Sequence, residues 1–281
     1  MRVISTIKEM KSAVREVRGQ GKSVGFVPTM GYLHNGHLTL MQEAKSKTDF
    51  VVVSIFVNPL QFGVGEDYED YPRDLSRDSS LAESAGVDII FAPTVREMYP
   101  KGYATFVEVE KLTGVLCGKS RPGHFKGVTT VVTKLFNIVE PDIAFFGQKD
   151  AQQSIVLKKM VEDLNMNLKI EIVPIVREKD GLAMSSRNSY LNSEERRAAL
   201  ALSQSLEMVR ELIASGERNN LVLVDEIRKF ISREPLARID YVEILSVPDL
   251  EKTEFLQGSN LIALAVFIGN TRLIDNMVLE G

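Results

Sequence analysis

The sequence predicts a doubly wound α/β fold followed by a smaller α+β domain, and three observations carry that expectation. Short apolar runs rich in β-branched residues alternate with segments of helical periodicity through residues 1–176. One run, Phe50-Val51-Val52-Val53-Ser54-Ile55-Phe56-Val57, is almost continuously apolar, as a strand covered on both faces must be. From residue 177 to 281 the alternation gives way to two helices and then consecutive strands. Alternating strands and helices imply a parallel sheet with helices on both faces, a Rossmann-like arrangement.

The elements follow in order. Ile7 to Gly19 reads as a helix and Ser23 to Val27 as a short buried strand. A turn rich in glycine and histidine comes next, and Leu38, Leu40, Met41 and Ala44 mark the apolar face of a helix beginning near Gly36. Beyond the Phe50–Val57 strand, Asn58 to Arg73 forms a long polar loop with Gly63 and Gly65, a length that usually signals function or mobility. Leu75 to Ala85 reads as helix and Val87 to Phe91 as strand. Phe125, Val128, Val132, Leu135, Phe136 and Val139 keep helical spacing between His124 and Pro141. Asp142 to Phe146 is a strand, a helix runs on through Leu164, and Leu168 to Val176 closes the set. In the second domain Ser193-Glu194-Glu195 opens a helix with Leu202, Leu206, Val209 and Ile213 on one face and Gly216 as its stop. A helix over Leu221 to Ser232 precedes strands at Ile239–Val247, Leu261–Ile268 and Thr271–Leu279.

Composition narrows the function. A formal charge of −4 with a pI near 5.6 offers no broad basic surface, which argues against nucleic acid as the main partner. No apolar run reaches the roughly 18 residues of a membrane span, and Met1-Arg2-Val3-Ile4-Ser5 lacks the pattern of a signal peptide. Cys117 is the lone cysteine, so no internal disulfide can form and a reducing, cytoplasmic setting is expected. Zinc held by several cysteines is excluded, and three histidines leave little room for a histidine-rich metal site.

Four clusters carry chemistry. His34 and His37, two of the three histidines, stand at a strand-to-helix junction, where free helix N–H groups attract anions and imidazoles add donors. A bare histidine pair would equally suit a polar turn. The second cluster is Gly147-Gln148-Lys149-Asp150, with Gln152 and Gln153 behind it. Asp150 suits a helix cap. Lys149, a compact cation, falls at the carboxyl end of a parallel strand, where such folds bind ligands. The third, Met184-Ser185-Ser186-Arg187-Asn188, is by itself a turn, but with Lys149 it makes a second clamp for a triphosphate. The fourth joins Asn58 and Gln61 to Tyr71. Gln61 is uncharged and bifunctional, suited to the hydroxyls and carboxylate of a small acid. Phe62 to Asp70 could fold over the site. His124, in Arg121-Pro122-Gly123-His124-Phe125-Lys126-Gly127, suits a helix cap. Asp78 suits an exposed helix face, Cys117 a small buried hydrophobe, and Glu194 to Arg197 a solvated helix face.

Pro28-Thr29-Met30-Gly31-Tyr32-Leu33-His34-Asn35-Gly36-His37 resembles the H-x-G-H signature of adenylyl-transferring enzymes. With its Pro-Thr-Met-Gly prefix it is similar to that of the pantoate–β-alanine ligase family. The resemblance implies that Met30 to His37 contact ATP, both histidines on its phosphates, with His37 as proton donor. Phe145-Phe146-Gly147-Gln148-Lys149-Asp150-Ala151-Gln152-Gln153 resembles the family's second signature, which puts ATP on Gly147, Gln148, Lys149 and Asp150 and pantoate on Gln153. Met184 to Asn188 resembles the K-M-S-K-S loop of the wider superfamily, but both lysines are absent. The Met-Ser-Ser-Arg-Asn form favours this family over aminoacyl-tRNA synthetases, and Val176 would lie at the adenine. By the same resemblance Gln61 contacts pantoate and neighbours β-alanine, with Asn58 and Tyr71 beside it. His124 joins the pantoate site and Asp78 offers a carboxylate to Mg²⁺.

The implied reaction makes pantoyl adenylate and pyrophosphate from ATP·Mg²⁺ and (R)-pantoate. β-Alanine then displaces AMP to give pantothenate, an AMP-forming carbon–nitrogen ligation needing no enzyme nucleophile. Ser185, Ser186 and Arg187 would share the phosphates with His34, His37 and Lys149 as the C-terminal domain closes over ATP. The family is homodimeric and cytoplasmic, with no membrane partner. Two rivals stand beside it. A nucleotidyltransferase acting on a phosphate-bearing precursor would want a further cation where Gln61 and Gln153 stand. A silent nucleotide-binding module would have no reason to keep both histidines, Lys149 and Arg187.

Overall fold

The computed structural model describes residues 1–279. The chain forms two units, Met1–Thr113 with Arg121–Pro174, and Gly114–Ser120 with Ile175 onward. The expected division after residue 176 therefore needs two corrections: the second unit begins at Ile175, and it takes a short segment from the middle of the first.

In chain order the elements are β1 (Arg2–Ile4), α1 (Ile7–Gly19), β2 (Val24–Thr29), α2 (Asn35–Lys47), β3 (Phe50–Ile55), α3 (Leu75–Ser84), β4 (Ile89–Phe91), α4 (Val95–Met98), α5 (Leu116–Ser120), α6 (His124–Val139), β5 (Ile143–Gly147), α7 (Ala151–Asp163), β6 (Lys169–Val173), α8 (Ser193–Ala214), α9 (Asn220–Ile231), β7 (Ala237–Ser246), β8 (Asn260–Ile268) and β9 (Thr271–Leu279). Short 3-10 turns cover Pro59–Gln61, Gln148–Asp150 and Ser186–Tyr190.

The first unit is an all-parallel sheet in the order β1-β4-β3-β2-β5-β6. The order runs outward from β2 in both directions, so the reversal falls between β2 and β5, and ligands of such sheets bind beyond the carboxyl ends of the strands at that point. The expected strand at Ser23–Val27 runs on to Thr29 and includes Pro28. Proline costs no ladder bond there. Val24 O faces β5 and Thr29 O faces β3, so alternation turns the Pro28 nitrogen toward β5. Pairing of β2 with β5 ends at Phe26 and Ala144. The two strands thus part where a ligand would enter. Val51, Val52 and Val53 are fully buried, as the apolar run predicts, and Phe145, Leu33 and Met41 pack in the core beside β2 and α2.

The second unit packs α8 and α9 on an antiparallel sheet, β7-β8-β9. Asn192 caps α8 in a capping box with Glu195, one residue before the expected start, and Gly216, at φ +108°, ends it. The segment Gly114–Ser120 belongs here because Leu116 and Cys117 are buried, Cys117 Sγ lies 3.2 Å from the Tyr241 hydroxyl, and Ser120 donates to Asp240 at 3.2 Å. Cys117 is buried as expected but is also partnered, with both Arg272 terminal nitrogens 3.7 Å from its sulfur.

Candidate active site

The crevice between β2 and β5 collects the first two clusters. β2 ends at Thr29, whose hydroxyl accepts from the Gly31 N–H (3.1 Å). Gly31 takes φ +88° and Tyr32 φ +50°, a left-handed pair that swings the chain back to start α2. His34 is the N-cap and His37 the third helical residue, with their rings 4.0 Å apart. The His34 backbone N–H donates to His37 Nδ1 (3.3 Å), which leaves the proton of a neutral His37 ring on Nε2. Burial, then the neighbouring His34, then the Lys149 ammonium push the His37 pKa well below its usual value. His37 is therefore a neutral donor near pH 7 and Lys149 supplies positive charge beside it. Lys149 sits in the turn after β5, and Gln153 follows one turn on in α7. Asp150 stands at the N-cap of α7, yet its side chain makes no capping bond, so the expected cap role is absent.

A second platform lies beyond β3. Asn58 Oδ1 accepts from the Leu60 N–H (3.3 Å) and the Tyr99 hydroxyl (2.8 Å), while its Nδ2 donates to Gln61 Oε1 (3.1 Å) and the Gly127 carbonyl (3.1 Å). Gln61 Nε2 reaches Met30 Sδ at 3.0 Å, which joins this platform to the histidine turn. A Cβ at Gly127 would overlap the Leu60 carbonyl and the Gln61 amide nitrogen, so only glycine lets α6 press this close.

His124, expected to touch pantoate, also braces the platform. Its Nδ1 donates to the Gln61 carbonyl (2.8 Å) and its Nε2 faces Arg121 Nη1 (3.2 Å). Both ring nitrogens thus have protein partners in the absence of a ligand. Burial, then Arg121, depress its pKa to about 4. Arg121 makes a two-pronged ion pair with Glu66, at 2.7 and 2.5 Å, which ties the loop over Phe62 to Asp70 to the turn before α6. Tyr71 is buried and stacks edge-on against Phe62, centroids 6.1 Å apart.

Asp78 also departs from expectation. It is 1% exposed, and its oxygens accept the Tyr32 N–H (2.7 Å) and the Leu33 N–H (2.8 Å). The exposed helix-face position is thus overturned. Among the described residues no three His, Cys, Asp or Glu side chains gather into a metal-holding group.

In the second unit Val176 O accepts from the Met184 N–H (3.0 Å), pairing two residues expected at the nucleotide. Ser185 Oγ accepts from the Arg187 N–H (3.3 Å), and Asn188 donates to Glu178 (2.9 Å) and the Ala183 carbonyl (3.1 Å). Ser186 is buried. The Met184 to Asn188 cluster is thus a braced turn rather than a loose loop.

Sequence reasoning missed Glu66, Arg77, Tyr99 and the roles of Arg121 and Gly127. Their partners lie tens of residues away in the chain, and an ordinary-looking Arg or Glu gives no local signal of such pairing.

A parallel sheet with imidazoles and a lysine at its reversal point defines an α/β fold that carries the H-x-G-H motif, at residues 34–37, where such sheets bind ligands. The comparisons narrow this. The family described as pantoate-beta-alanine ligase matches residues 2–278. A pantothenate synthetase from Heliobacterium modesticaldum is 64% identical over the whole of both chains, and one from Pelotomaculum thermopropionicum is 63% identical over 99% of each. The crystal structure of pantothenate synthetase from Thermus thermophilus matches with a TM-score of 0.94 at 46% identity, covering 99% of each chain. The chain belongs to the pantoate–β-alanine ligase family and is a ligase.

Proposed function

We propose that this chain condenses (R)-pantoate with β-alanine, using ATP and passing through pantoyl adenylate, with pyrophosphate and then AMP as leaving groups. The observation that carries the reading is the pair of His34 and His37 at the start of α2, with Lys149, in the turn after β5, close enough to depress the His37 pKa. A solved relative adds weight. The Francisella tularensis pantoate-beta-alanine ligase, 37% identical with a TM-score of 0.80 over 99% of this chain and 97% of its own, is described as complexed with beta-gamma ATP and beta-alanine.

In the first step a pantoate carboxylate oxygen attacks the α-phosphorus and the bond to pyrophosphate breaks. Negative charge grows on the phosphate oxygens, where His34, His37 and the α2 N–H groups donate and Lys149 neutralises. His37 does this as a hydrogen-bond donor, because its buried ring resists charging. Met30 to His37, Gly147 to Asp150, Val176 and Met184 form the nucleotide contacts of this reading. By the family resemblance, Ser185, Ser186 and Arg187 are further phosphate contacts of this reading. Gln61 and Gln153, with Asn58 and Tyr71, hold pantoate, and β-alanine takes its place beside Gln61. In the second step the amine attacks the acyl carbon and AMP leaves. The latched Phe62 to Asp70 loop keeps water from the mixed anhydride in the interval. Mg²⁺ arrives with the nucleotide as its counter-ion, and the setting is a cytoplasmic homodimer.

Exchange of labelled pyrophosphate into ATP tests the reading. Exchange is expected with pantoate and not without it, and AMP should accumulate once β-alanine is added. Exchange driven by a different acceptor, or none with any, would overturn it.

A further inference from the structure

The turn that delivers both histidines is gripped from outside, by α3. Left-handed backbone at Gly31 and Tyr32 aims two successive amides, Tyr32 N–H and Leu33 N–H, into one hollow. Such hollows bind anions, and here the anion is internal. Asp78 Oδ2 takes the first amide at 2.7 Å and Oδ1 the second at 2.8 Å. Arg77, the preceding residue, donates to the Leu33 carbonyl at 2.9 Å and lies 4.9 Å over the Tyr32 ring. Both backbone groups of Leu33 are thus fixed by α3, one residue before the His34 cap. Asp74 anchors α3 itself by accepting the Arg77 N–H at 2.9 Å. A side chain at Gly31 would come within 3.1 Å of Asp78 Oδ2 and 2.9 Å of Ile55 Cγ2, so the glycine also serves this grip.

We propose that Asp78 is a positioning residue: its carboxylate holds the Tyr32 and Leu33 amides, sets where His34 and His37 stand, and is not a metal ligand. Its importance for turnover rests on the ligase reading above; the grip itself does not. Ionised acceptors make backbone hydrogen bonds roughly twice as strong as neutral ones, which suits a turn that holds Tyr32, a non-glycine residue, in the left-handed region. The two amides and Arg77 Nη1, 3.4 Å from Oδ1, take three of the roughly four acceptor positions of the carboxylate, which leaves little for a metal ion. Asp78 and Asp74 do line a cavity of about 310 Å³ with Met30 and Arg73, so an ion could reach them, and the experiment must separate the two roles.

The test is D78N, nearly the same shape but without the charge. In the ligand-free protein, amide hydrogen exchange at Tyr32 and Leu33 should quicken tenfold or more, with the β5 and β6 amides unchanged. In turnover, kcat should fall tenfold or more while the Mg²⁺ concentration for half-maximal rate stays within twofold. Unchanged exchange overturns the proposal, and so does a tenfold rise in the Mg²⁺ requirement. Should D78N not fold, the unaltered chain carries the test: the Tyr32 and Leu33 amides should exchange as slowly as those of β2, and exchange at the rate of exposed loop amides overturns it. Neither exchange readout needs turnover, so failure here is distinguishable from failure of the ligase reading.

Discussion

Two segments bring polar side chains to the carboxyl ends of neighbouring strands, and they are built differently. The turn after β2 is held through its backbone, by Asp78 and Arg77 on the Tyr32 and Leu33 peptide groups. The side chains it presents, His34 and His37, add only the capping box that opens α2. The platform after β3 is held largely through side chains: Asn58 on Gly127, His124 on the Gln61 carbonyl, and Arg121 on Glu66. In the first, scaffold and chemistry are mostly separate groups of atoms, the capping box of the two histidines being the overlap. In the second they overlap, since Asn58 is both brace and expected ligand contact. Substitution should therefore divide activity from stability cleanly on the histidine side and poorly on the Gln61 side.

The largest effect expected is on the histidine side. His37→Ala removes a donor where phosphate charge grows, and kcat should drop about a hundred- to thousandfold. The structural loss is one long bond from the His34 N–H, so stability should change by no more than about 1 kcal/mol. Single-turnover kinetics and a melting curve on the same preparation check both halves. A large loss of stability would mean that the ring is part of the scaffold after all, and the contrast would be broken.

Gly127→Ala probes the other side and should divide its effects less cleanly. Backbone atoms of Leu60 and Gln61 stand where the methyl must go, and they cannot yield as a flexible side-chain end would. Overpacking of this kind typically costs about 1–3 kcal/mol. Because the displaced residues carry Gln61, KM for pantoate should rise about tenfold along with the stability loss, with KM for ATP little changed. Equal rises in both constants would show that the platform and the nucleotide crevice yield together.

The same contrast explains what can be read from the chain. The histidine turn is legible because its parts are contiguous: a strand, Pro28, Gly31 and two histidines announce a strand-to-helix junction within a dozen residues. The periodicity places α1 to the residue, and the β-branched run at Phe50 foretells a strand buried on both faces. The platform is only half legible. Gln61 stands out as a candidate, but its supports come from α6 and from the loop that Arg121 fastens, and no local pattern records an Arg–Glu pair between residues 66 and 121. Asp78 is misread for the same reason. An aspartate on a short helix looks solvent-facing until the turn that it grips is folded against it. β1, of three residues, is too short to show a period, and its place at the sheet edge follows only from pairing with β4. The segment Gly114–Ser120 interrupts the first unit without any change of composition to mark it.

The effect on turnover is expected to be smallest where the platform responds to acid, because there the readout is stability alone. His124 has a pKa of about 4 in the fold against about 6.5 for an unfolded histidine, so between those values the unfolded chain binds the proton more readily. Stability should accordingly be complete above pH 6.5 and fall as the pH drops toward 4, with a slope approaching about 1.4 kcal/mol per pH unit for one proton. His37 is depressed as well and contributes in the same direction, and carboxylates titrate in part of the window. The informative quantity is therefore the difference in slope between the unaltered chain and His124→Asn, read from denaturant midpoints at steps through this range. A shallower slope in the variant would place the acid sensitivity on the platform, where the ring's two nitrogens are committed to Gln61 and Arg121. Identical slopes would mean that the imidazolium is tolerated there, with Glu66 turning to it in place of Arg121, and the platform would then be a softer arrangement than its hydrogen bonds suggest.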